Sequence, residues 1–285
     1  MNLKLRPGFP ADAPAVGKII YDAFYAVATK HNFAPDIPSL GFGVELATML
    51  LNMPGLYSVV AERDGRIVGS NFMTEHDPIA GIGPITVDPA VQDSSIGKQL
   101  MLDAMNRARG RGVPSIRLVQ SAYHTRSMCL YTKLGFEVRE PLACMNGTPL
   151  NFKIPGYSVR KAVVADAEAC GQLCFFTHGF TRRGEIEQAI EHGGATVAEF
   201  AGRIVAYSTT VGFFGHSVAE SNDGLRALIG AATAFAGPGF LLPTRNAEMF
   251  RWCLAQGLRM VQPMTLMSLG QYTEPANSFL PSILF

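Results

Sequence analysis

Residues 91–100 read VQDSSIGKQL and join a strand-like run, GPITVDP, to a helix-like run that begins at Ile96. Backbone N–H groups at the start of a helix form a concave, partly positive site for a diphosphate, and Gly97 keeps side chains out of its path. The Ser95 hydroxyl can donate to a phosphate, and Lys98 adds a positive charge. Taken alone, the segment fits a phosphate-binding loop or an ordinary capped turn.

Two other groups of residues have types that can do chemistry. Glu75, His76 and Asp77 are consecutive, and they either include a general base or form a solvated turn. Cys170 and Cys174 are one helical turn apart, but no nearby His or Cys completes a set of four metal ligands. We therefore predict a buried helix face there and no metal site. The five cysteines are odd in number and scattered, which argues against a disulfide framework.

The composition narrows the class of partner. The chain has 285 residues, is 48% hydrophobic and 16% charged, and has a net charge of +1, so it can bury a core but has no basic bias toward nucleic acid. No apolar run reaches the roughly 18 residues of a membrane span, and the first residues lack a secretory signal. We predict a cytoplasmic monomer or homodimer that acts on a small molecule or peptide, without nucleic-acid or membrane partners.

An internal repeat organises the chain. Three windows of the first half recur in the same order in the second half, with identities such as Asp12 and Asp166, or Gly17 and Gly171. The matched windows are 6–17 with 160–171, 60–69 with 197–206, and 134–146 with 256–268. Three collinear matches indicate two copies of one domain.

Each copy follows the pattern strand, helix, strand pair, helix, strand, helix, strand. Asp12 is placed to cap the first helix, and Asp64-Gly65 is a hairpin signal within the strand pair. The segment GIGPITVDP predicts one strand. The fold class we predict is α+β, with two tandem domains, 1–150 and 156–285, each a mixed, mostly antiparallel β-sheet flanked by helices.

Two motifs extend this pattern, one around the loop and one around the last helix of the first copy. Their residues are Val87, Pro89, Gln92, Ser95 and Gly97, and then His124, Ser127, Tyr131, Gly135 and Phe136. With the order of elements, they resemble the GNAT N-acetyltransferase family, in which a glycine usually stands at position 95 and an asparagine at position 124. The resemblance covers about residues 3–147 by motif and 157–268 by repeat alone. The whole chain is similar to tandem GNAT proteins whose second copy has decayed.

The resemblance implies an acyltransferase with acetyl-CoA as co-substrate, which transfers the acetyl group to a primary amine of a small molecule or peptide by direct attack. It implies that the loop binds the diphosphate, and that backbone N–H groups of the preceding strand polarise the thioester carbonyl. The implied cofactor contacts are Ile85, Thr86, Val87, Gln92, Asp93, Ser94, Ser95, Ile96, Gly97, Lys98, His124 and Tyr131.

The resemblance also assigns catalytic roles. Tyr131 occupies the position of the tyrosine that protonates the departing thiolate, although it could instead be a half-buried structural tyrosine. His124 could bind the cofactor, accept a proton from the substrate, or be a surface residue at the start of a helix. Aromatic residues after the first helix could line an acceptor pocket, and Phe24, Tyr25, His31 and Phe33 are the candidates, although Phe24 also occupies a core position.

The second copy lacks the site residues of the first. Between the first two windows the second copy has 25 residues where the first copy has 42, so we predict that the second copy lacks a helical lid. Its sequence also contains no recognisable phosphate-binding loop. Cys253 stands where Tyr131 stands, and Asn246 where His124 stands. We predict a structural domain or one wall of the acceptor cleft, with the final FLPSILF packed against it. A different function remains open, a non-catalytic acyl-CoA-binding sensor or interaction protein.

Overall fold

The computed structural model describes residues 3–92 and 95–284, which divide into two compact units, 1–117 and 118–285. The described part of the first unit contains three α-helices, the four strands of an antiparallel sheet, and two strands that pair in parallel with each other. Its elements are β1 (Leu3–Pro7), α1 (Ala13–Lys30), α2 (Leu40–Asn52), β2 (Leu56–Arg63), β3 (Arg66–Thr74), β4 (Ala80–Gly81), β5 (Thr86–Val87), α3 (Ile96–Gly110) and the start of β6 (Ser115–Ser121). Within the described ranges, no helix has the length and apolar character to cross a bilayer.

The sheet of the first unit has the order β1-β2-β3-β5 and is covered on both faces. Val60 of β2 points to a core formed with α1 and α2, whereas its neighbours Val59 and Ala61 pack with Ile96 and Leu100 of α3. This alternation follows from the two-residue period of a strand. The predicted hairpin between β2 and β3 is confirmed, and its two turn residues have φ angles of 51° and 77°.

The segment predicted as one strand forms two. β4 pairs in parallel with β6, and β5 pairs antiparallel with β3. The break between them contains Pro84, which has no N–H to donate to a ladder. The prediction of a single strand was therefore wrong. The break divides the segment into β4 and β5, and each of them pairs with a different strand.

Helices α1 and α2 approach each other closely at two glycines. A Cβ atom added to Gly17 would lie 2.5 Å from the Cα atom of Val44 and 2.7 Å from the carbonyl oxygen of Gly43. A Cβ atom on Gly43 would in turn lie 2.7 Å from the carbonyl oxygen of Gly17. The contact is between backbones, so both positions require glycine.

Asp12 stands at the N-cap position of α1 but does not cap it, contrary to our prediction. Its carboxylate accepts two hydrogen bonds from the guanidinium of Arg6 and one from the backbone N–H of Phe9. Arg6 also donates to Glu62 of β2 over 2.9 Å. The side chain therefore ties the turn before α1 to the edge of the sheet.

The second unit contains the remaining elements. They are the end of β6, then α4 (Thr125–Lys133), β7 (Glu137–Asn146), β8 (Tyr157–Lys161), α5 (Ala167–His178), α6 (Arg183–Glu191), β9 (Thr196–Phe200), β10 (Arg203–Ser208), β11 (Ser217–Ala219), α7 (Asn222–Ala231), β12 (Phe240–Pro243), α8 (Ala247–Ala255), β13 (Arg259–Gly270) and β14 (Ser278–Leu280). Mixed helices and mostly antiparallel strands confirm the predicted α+β class.

The two copies of the repeat make the same hydrogen bonds at equivalent positions. Arg160 donates two hydrogen bonds to Asp166 and one to Glu199, and the backbone N–H of Val163 donates to Asp166. These are the contacts of Arg6, Asp12, Phe9 and Glu62 at the repeat offsets. The antiparallel sheet β14-β11-β10-β9-β8 is covered by α5 and α6 on one face and by α7 on the other.

The last strands of the two copies are exchanged within the second unit. β7, the last strand of the first copy, lies between β12 and β13 of the second copy. β13 in turn lies between β7 and β6. In this sheet β7 therefore pairs with two strands of the second copy, and this pairing was not predicted.

Two predictions about the second copy have different outcomes. The predicted loss of the lid helix is wrong, because α6, with nine residues, occupies the place in the chain that α2, with 13, has in the first copy. The predicted burial of Cys170 and Cys174 is confirmed, since both side chains are at most 1% exposed. The domain limits 1–150 and 156–285 stay a prediction.

Candidate functional site

The residue that precedes α3 has a backbone conformation typical of glycine. Ser95 has a φ angle of 63°, in the left-handed region, and its side chain makes no capping hydrogen bond to α3. Its side chain is exposed, whereas Ile96 next to it is 1% exposed and holds the helix to the sheet. The first turn of α3 thus begins with an exposed hydroxyl beside backbone N–H groups, as an anion site requires.

The other loop residues have different placements. Gln92 is half-buried, and its amide nitrogen lies 3.5 Å from the carbonyl oxygen of Val87. Lys98 is exposed on α3, and Gly97 beside it is half-buried. The predicted contacts Asp93 and Ser94 lie outside the described residues.

β5 is the terminal strand in the order of the first unit's sheet. Thr86 is 3% exposed and its hydroxyl lies 3.1 Å from that of Ser70 on β3. Ile85 and Val87 pack on the α3 side of the sheet. A strand at the edge of a sheet can pair its outer backbone groups with an extended ligand.

Glu75, a candidate general base, is held by arginines. Arg107 donates two hydrogen bonds to its carboxylate, over 2.6 and 3.0 Å, and Arg111 donates to its carbonyl oxygen. The Arg107 hydrogen bonds hold the pKa of Glu75 below its usual range. A carboxylate in this state is a weak base, so the geometry favours a structural role for Glu75.

The predicted acceptor residues lie at the end of α1 and just beyond it. Phe24 packs against the core that α1 and α2 share, whereas Tyr25 is 47% exposed and its ring lies 5.6 Å from that of Tyr21. His31 and Phe33, both half-buried, follow the helix, and their backbone N–H groups bond to the carbonyl of Ala28. Their role in acceptor binding stays a prediction.

In the second unit, α4 carries the two predicted catalytic residues. His124 is at its N-cap position, and its Nδ1 atom lies 2.7 Å from the hydroxyl oxygen of Ser127. The structure therefore pairs His124 with Ser127, a residue to which the sequence assigned no role.

Tyr131 is buried, with 6% of its surface exposed and its ring centroid 6.2 Å from that of Phe136. Burial raises the pKa of Tyr131 to about 12, and the hydrogen bond with Ser127 opposes that shift. The phenol is consequently protonated at neutral pH and can act as an acid. The signal for Ser127 was present in the sequence, because positions 124, 127 and 131 share one helix face.

The second copy has different residues at the equivalent positions, 122 further along the chain. Asn246 caps α8 by accepting a hydrogen bond from the backbone N–H of Met249, and Met249 and Cys253 are fully buried. Burial raises the pKa of the Cys253 thiol to about 12. None of these three residues carries a hydroxyl group.

The strand equivalent to β5 is covered in the second copy. β11 pairs with β14, in the register Ser217 with Leu280 and Ala219 with Ser278. The Ser278 hydroxyl donates to the side-chain oxygen of Asn222, the first residue of α7. Only two residues separate β11 from α7, and the cavity of about 300 Å³ beside them is lined in part by the tail, including Ser278 and Phe279.

Part of the chain is similar to a known protein family. Residues 22–136 match the profile of the acetyltransferase (GNAT) family. A mycothiol acetyltransferase from Thermomonospora curvata is 36% identical over 78 residues, which are 27% of this chain and 26% of that relative. The chain thus matches about a quarter of the length of that curated relative.

Two solved structures are similar over nearly the whole chain. A putative acetyltransferase from Pyrococcus horikoshii has a TM-score of 0.75 at 18% identity, covering 97% of this chain and 92% of that one. A tandem GNAT protein from the clavulanic acid biosynthesis pathway has a TM-score of 0.58 at 15% identity, covering 94% of this chain and 98% of that one. At these identities the likeness establishes the fold, which is that of tandem GNAT domains.

Proposed function

We propose that this chain, whose residues 22–136 match the acetyltransferase (GNAT) family, transfers an acetyl group from acetyl-CoA to a primary amine of a small molecule or peptide. The observation that carries this proposal is the buried, protonated phenol of Tyr131 on the helix where the family motif lies. The partial match to a mycothiol acetyltransferase supports acetyl transfer as the reaction.

The residues before α3 fit a diphosphate-bearing cofactor. The left-handed Ser95 exposes a hydroxyl at the start of the helix, and Lys98 adds a positive charge. Thr86 and Val87 form the terminal strand of their sheet and Ile85 precedes it, which supports the assignment of their backbone N–H groups to the thioester carbonyl. Acetyl-CoA supplies the activated acyl group when bound.

Proton transfer is the step that the chain's own side chains perform. The neutral amine attacks the thioester carbonyl, the bond between carbon and sulfur breaks, and the nitrogen loses a proton to water as the amide forms. The Tyr131 hydroxyl then donates its proton to the departing sulfur. Water returns a proton to the tyrosine after turnover. Burial raises the pKa of Tyr131, so the phenol keeps its proton until the thiolate forms beside it.

Isothermal titration with acetyl-CoA and a thiol-release assay with a panel of amines test this function. We expect binding in the first measurement and amine-dependent release of free CoA in the second. Absence of binding up to millimolar concentration contradicts the proposal. Binding without release for every amine favours an acyl-CoA sensor instead.

For the second copy we propose a structural role without acetyl-CoA binding. Three observations support it: β14 covers β11, Ser278 bonds to the first residue of α7, and Cys253 replaces the catalytic tyrosine. Phe279 and Leu280 are at most 3% exposed, so the tail forms part of the core of this copy. The C-terminal strand takes the place next to β11 that an extended ligand takes next to β5 in the first copy.

A further inference from the structure

The turn from β6 into α4 is held by β13, the last long strand of the second copy. The backbone N–H of Ala122 donates to the carbonyl oxygen of Pro263 over 2.9 Å. The Tyr123 hydroxyl donates to the side-chain oxygen of Gln262, a residue only 3% exposed, over 3.2 Å. The carbonyl oxygen of Tyr123 accepts from the N–H of Thr125, the first residue of α4, so hydrogen bonds connect β13 to the start of the helix.

Two equivalent contacts occur, with the copies exchanged, at the turn into α8. The backbone N–H of Thr244 donates to the carbonyl oxygen of Pro141 on β7, again over 2.9 Å. Arg245 donates from Nε to both carboxylate oxygens of Glu140, over 2.8 and 2.9 Å. All four positions differ by 122 from their counterparts in the first set of contacts. Each copy therefore holds the turn before a helix of the other, through a neutral pair in one case and a charged pair in the other.

α4 is fixed less firmly than α8 by a cap and by buried side chains. His124, at the N-cap position of α4, makes no side-chain capping bond, and among the described residues of this helix Tyr131 is the one that is buried. In contrast, the side chain of Asn246 caps α8, which buries both Met249 and Cys253. The first turn of α4 thus depends on its link to β13 more than the first turn of α8 depends on β7.

We propose that Gln262 is a positioning residue for acetyl transfer, an inference that rests on the proposed function. By holding Tyr123, it fixes the turn that contains His124 and the direction in which α4 carries Tyr131. A displacement of about 1 Å in a catalytic group can cost about 100-fold in rate, so the position of this helix bears on kcat. The second copy thereby contributes a side chain on which the activity of the first copy depends.

The test is a double-mutant cycle in the thiol-release assay, with Tyr123→Phe, Gln262→Leu and the variant that carries both changes. We expect each single variant to lower kcat by about 10 to 100-fold, with the KM for acetyl-CoA unchanged because the residues before α3 are untouched. The double variant should lose no more than the single ones, since both changes remove the same hydrogen bond. Glu140→Gln, which alters the equivalent pair, is the control and should keep the wild-type kcat.

Three outcomes of the cycle would overturn the inference. They are a wild-type kcat in either single variant, losses that multiply in the double variant, and an equal loss in Glu140→Gln, which would indicate general destabilisation. If Gln262→Leu does not fold, Tyr123→Phe decides the question, because it removes a single oxygen atom.

Amide hydrogen exchange tests the link between β13 and α4 without relying on activity. The N–H groups of residues 128–131 donate to carbonyl oxygens in the first turn of α4. In Gln262→Leu we expect them to exchange about tenfold faster, the effect of losing about one hydrogen bond, while residues 250–253 of α8 are unchanged. Unchanged exchange in residues 128–131 overturns the link even in an active acetyltransferase. If the wild-type protein releases no thiol with any amine, the proposed function fails and the role of Gln262 in acetyl transfer with it, whereas faster exchange still establishes the link.

Discussion

The guanidinium of Arg6 donates two hydrogen bonds to the carboxylate of Asp12, over 2.7 and 3.0 Å. Hydrogen bonds between charged groups contribute about 1.5 to 3 kcal/mol when they are partly shielded from water. We expect Asp12→Asn to lower the free energy of unfolding by about that amount at pH 7. Urea unfolding monitored by circular dichroism measures it.

The same pair predicts a pH dependence. Hydrogen bonding from Arg6 holds the pKa of Asp12 below its usual range, so folding favours the ionised carboxylate. The contribution of the ionised Asp12 carboxylate to the free energy of unfolding is fully present above the ordinary aspartate pKa, about 3.9. It is lost as the pH falls through the lower pKa that Asp12 has in the folded protein. The difference between wild type and Asp12→Asn should therefore shrink in acid. Asp22→Asn, in an exposed pair with Lys18, is the control and should change the free energy of unfolding at pH 7 much less than Asp12→Asn does.

The repeat provides a matched pair of glycine substitutions. Gly17→Ala places a Cβ atom 2.5 Å from the Cα atom of Val44, whereas Gly171→Ala, at the equivalent position in α5, meets no atom within 4 Å. We expect the first change to lower the unfolding free energy by about 1 to 3 kcal/mol, because α1 and α2 must separate. The second should raise it by up to about 1 kcal/mol, since alanine is the better helix former. Equal effects in thermal unfolding would contradict the close helix contact.

Local patterns predicted most elements, because helical spacing and a two-residue period are properties of short windows. The helices α1 and α3 and the hairpin between β2 and β3 followed directly from such patterns. The exchange of β7 and β13 did not, because pairing partners more than 100 residues apart leave no periodic signal. Asp12 was predicted as a helix cap for a similar reason, since its type fits a cap and only the folded chain brings Arg6 to it.

The sequence predicted some residues of the candidate site but not their conformation or burial. Tyr131 and Ser95 stand in motifs, so their importance could be read from the sequence, but the left-handed backbone of Ser95 and the burial of Tyr131 required the structure. Ser127 was recognised only as a motif position. The tail was predicted to pack, and Phe279 to Ser282 do so, but its pairing with β11 depends on a strand 60 residues away.

Ser95→Gly should stabilise the protein. The left-handed conformation costs a residue with a side chain about 1 kcal/mol, and the Ser95 side chain makes no capping bond that would offset it. We expect a gain of up to that amount in the unfolding free energy, with acetyl-CoA binding as tight as in the wild type or tighter. Ser39→Gly is the control, because Ser39 is extended and its hydroxyl caps α2, so its loss should slightly destabilise the protein. Weaker cofactor binding by Ser95→Gly would show that the hydroxyl contacts the ligand.

Tyr131→Phe should separate chemistry from binding. The phenylalanine keeps the ring and its contact with Phe136 but removes the acid, so we expect kcat to fall by about 100-fold or more while the dissociation constant of acetyl-CoA is unchanged. Thiol-release kinetics and isothermal titration measure the two effects. Phe136→Leu, which changes packing and leaves the phenol, should alter stability more than kcat. Wild-type kcat in Tyr131→Phe would remove Tyr131 as the acid.

One acetyl-CoA should bind per chain, in the first copy. β5 is the terminal strand of its sheet, whereas β11 is hydrogen-bonded to β14 on that side and Ser278 bonds to Asn222 at the start of α7. We expect Gly97→Val to weaken binding, because a side chain enters the path of the diphosphate, and Asn222→Ala to leave binding unchanged. Amide hydrogen exchange should show new protection in residues 85–92 with saturating acetyl-CoA, while β11 and β14 stay as protected as before. A stoichiometry of two, or loss of protection in β14 on adding acetyl-CoA, would mean that the ligand displaces the tail and that the second copy binds it as well.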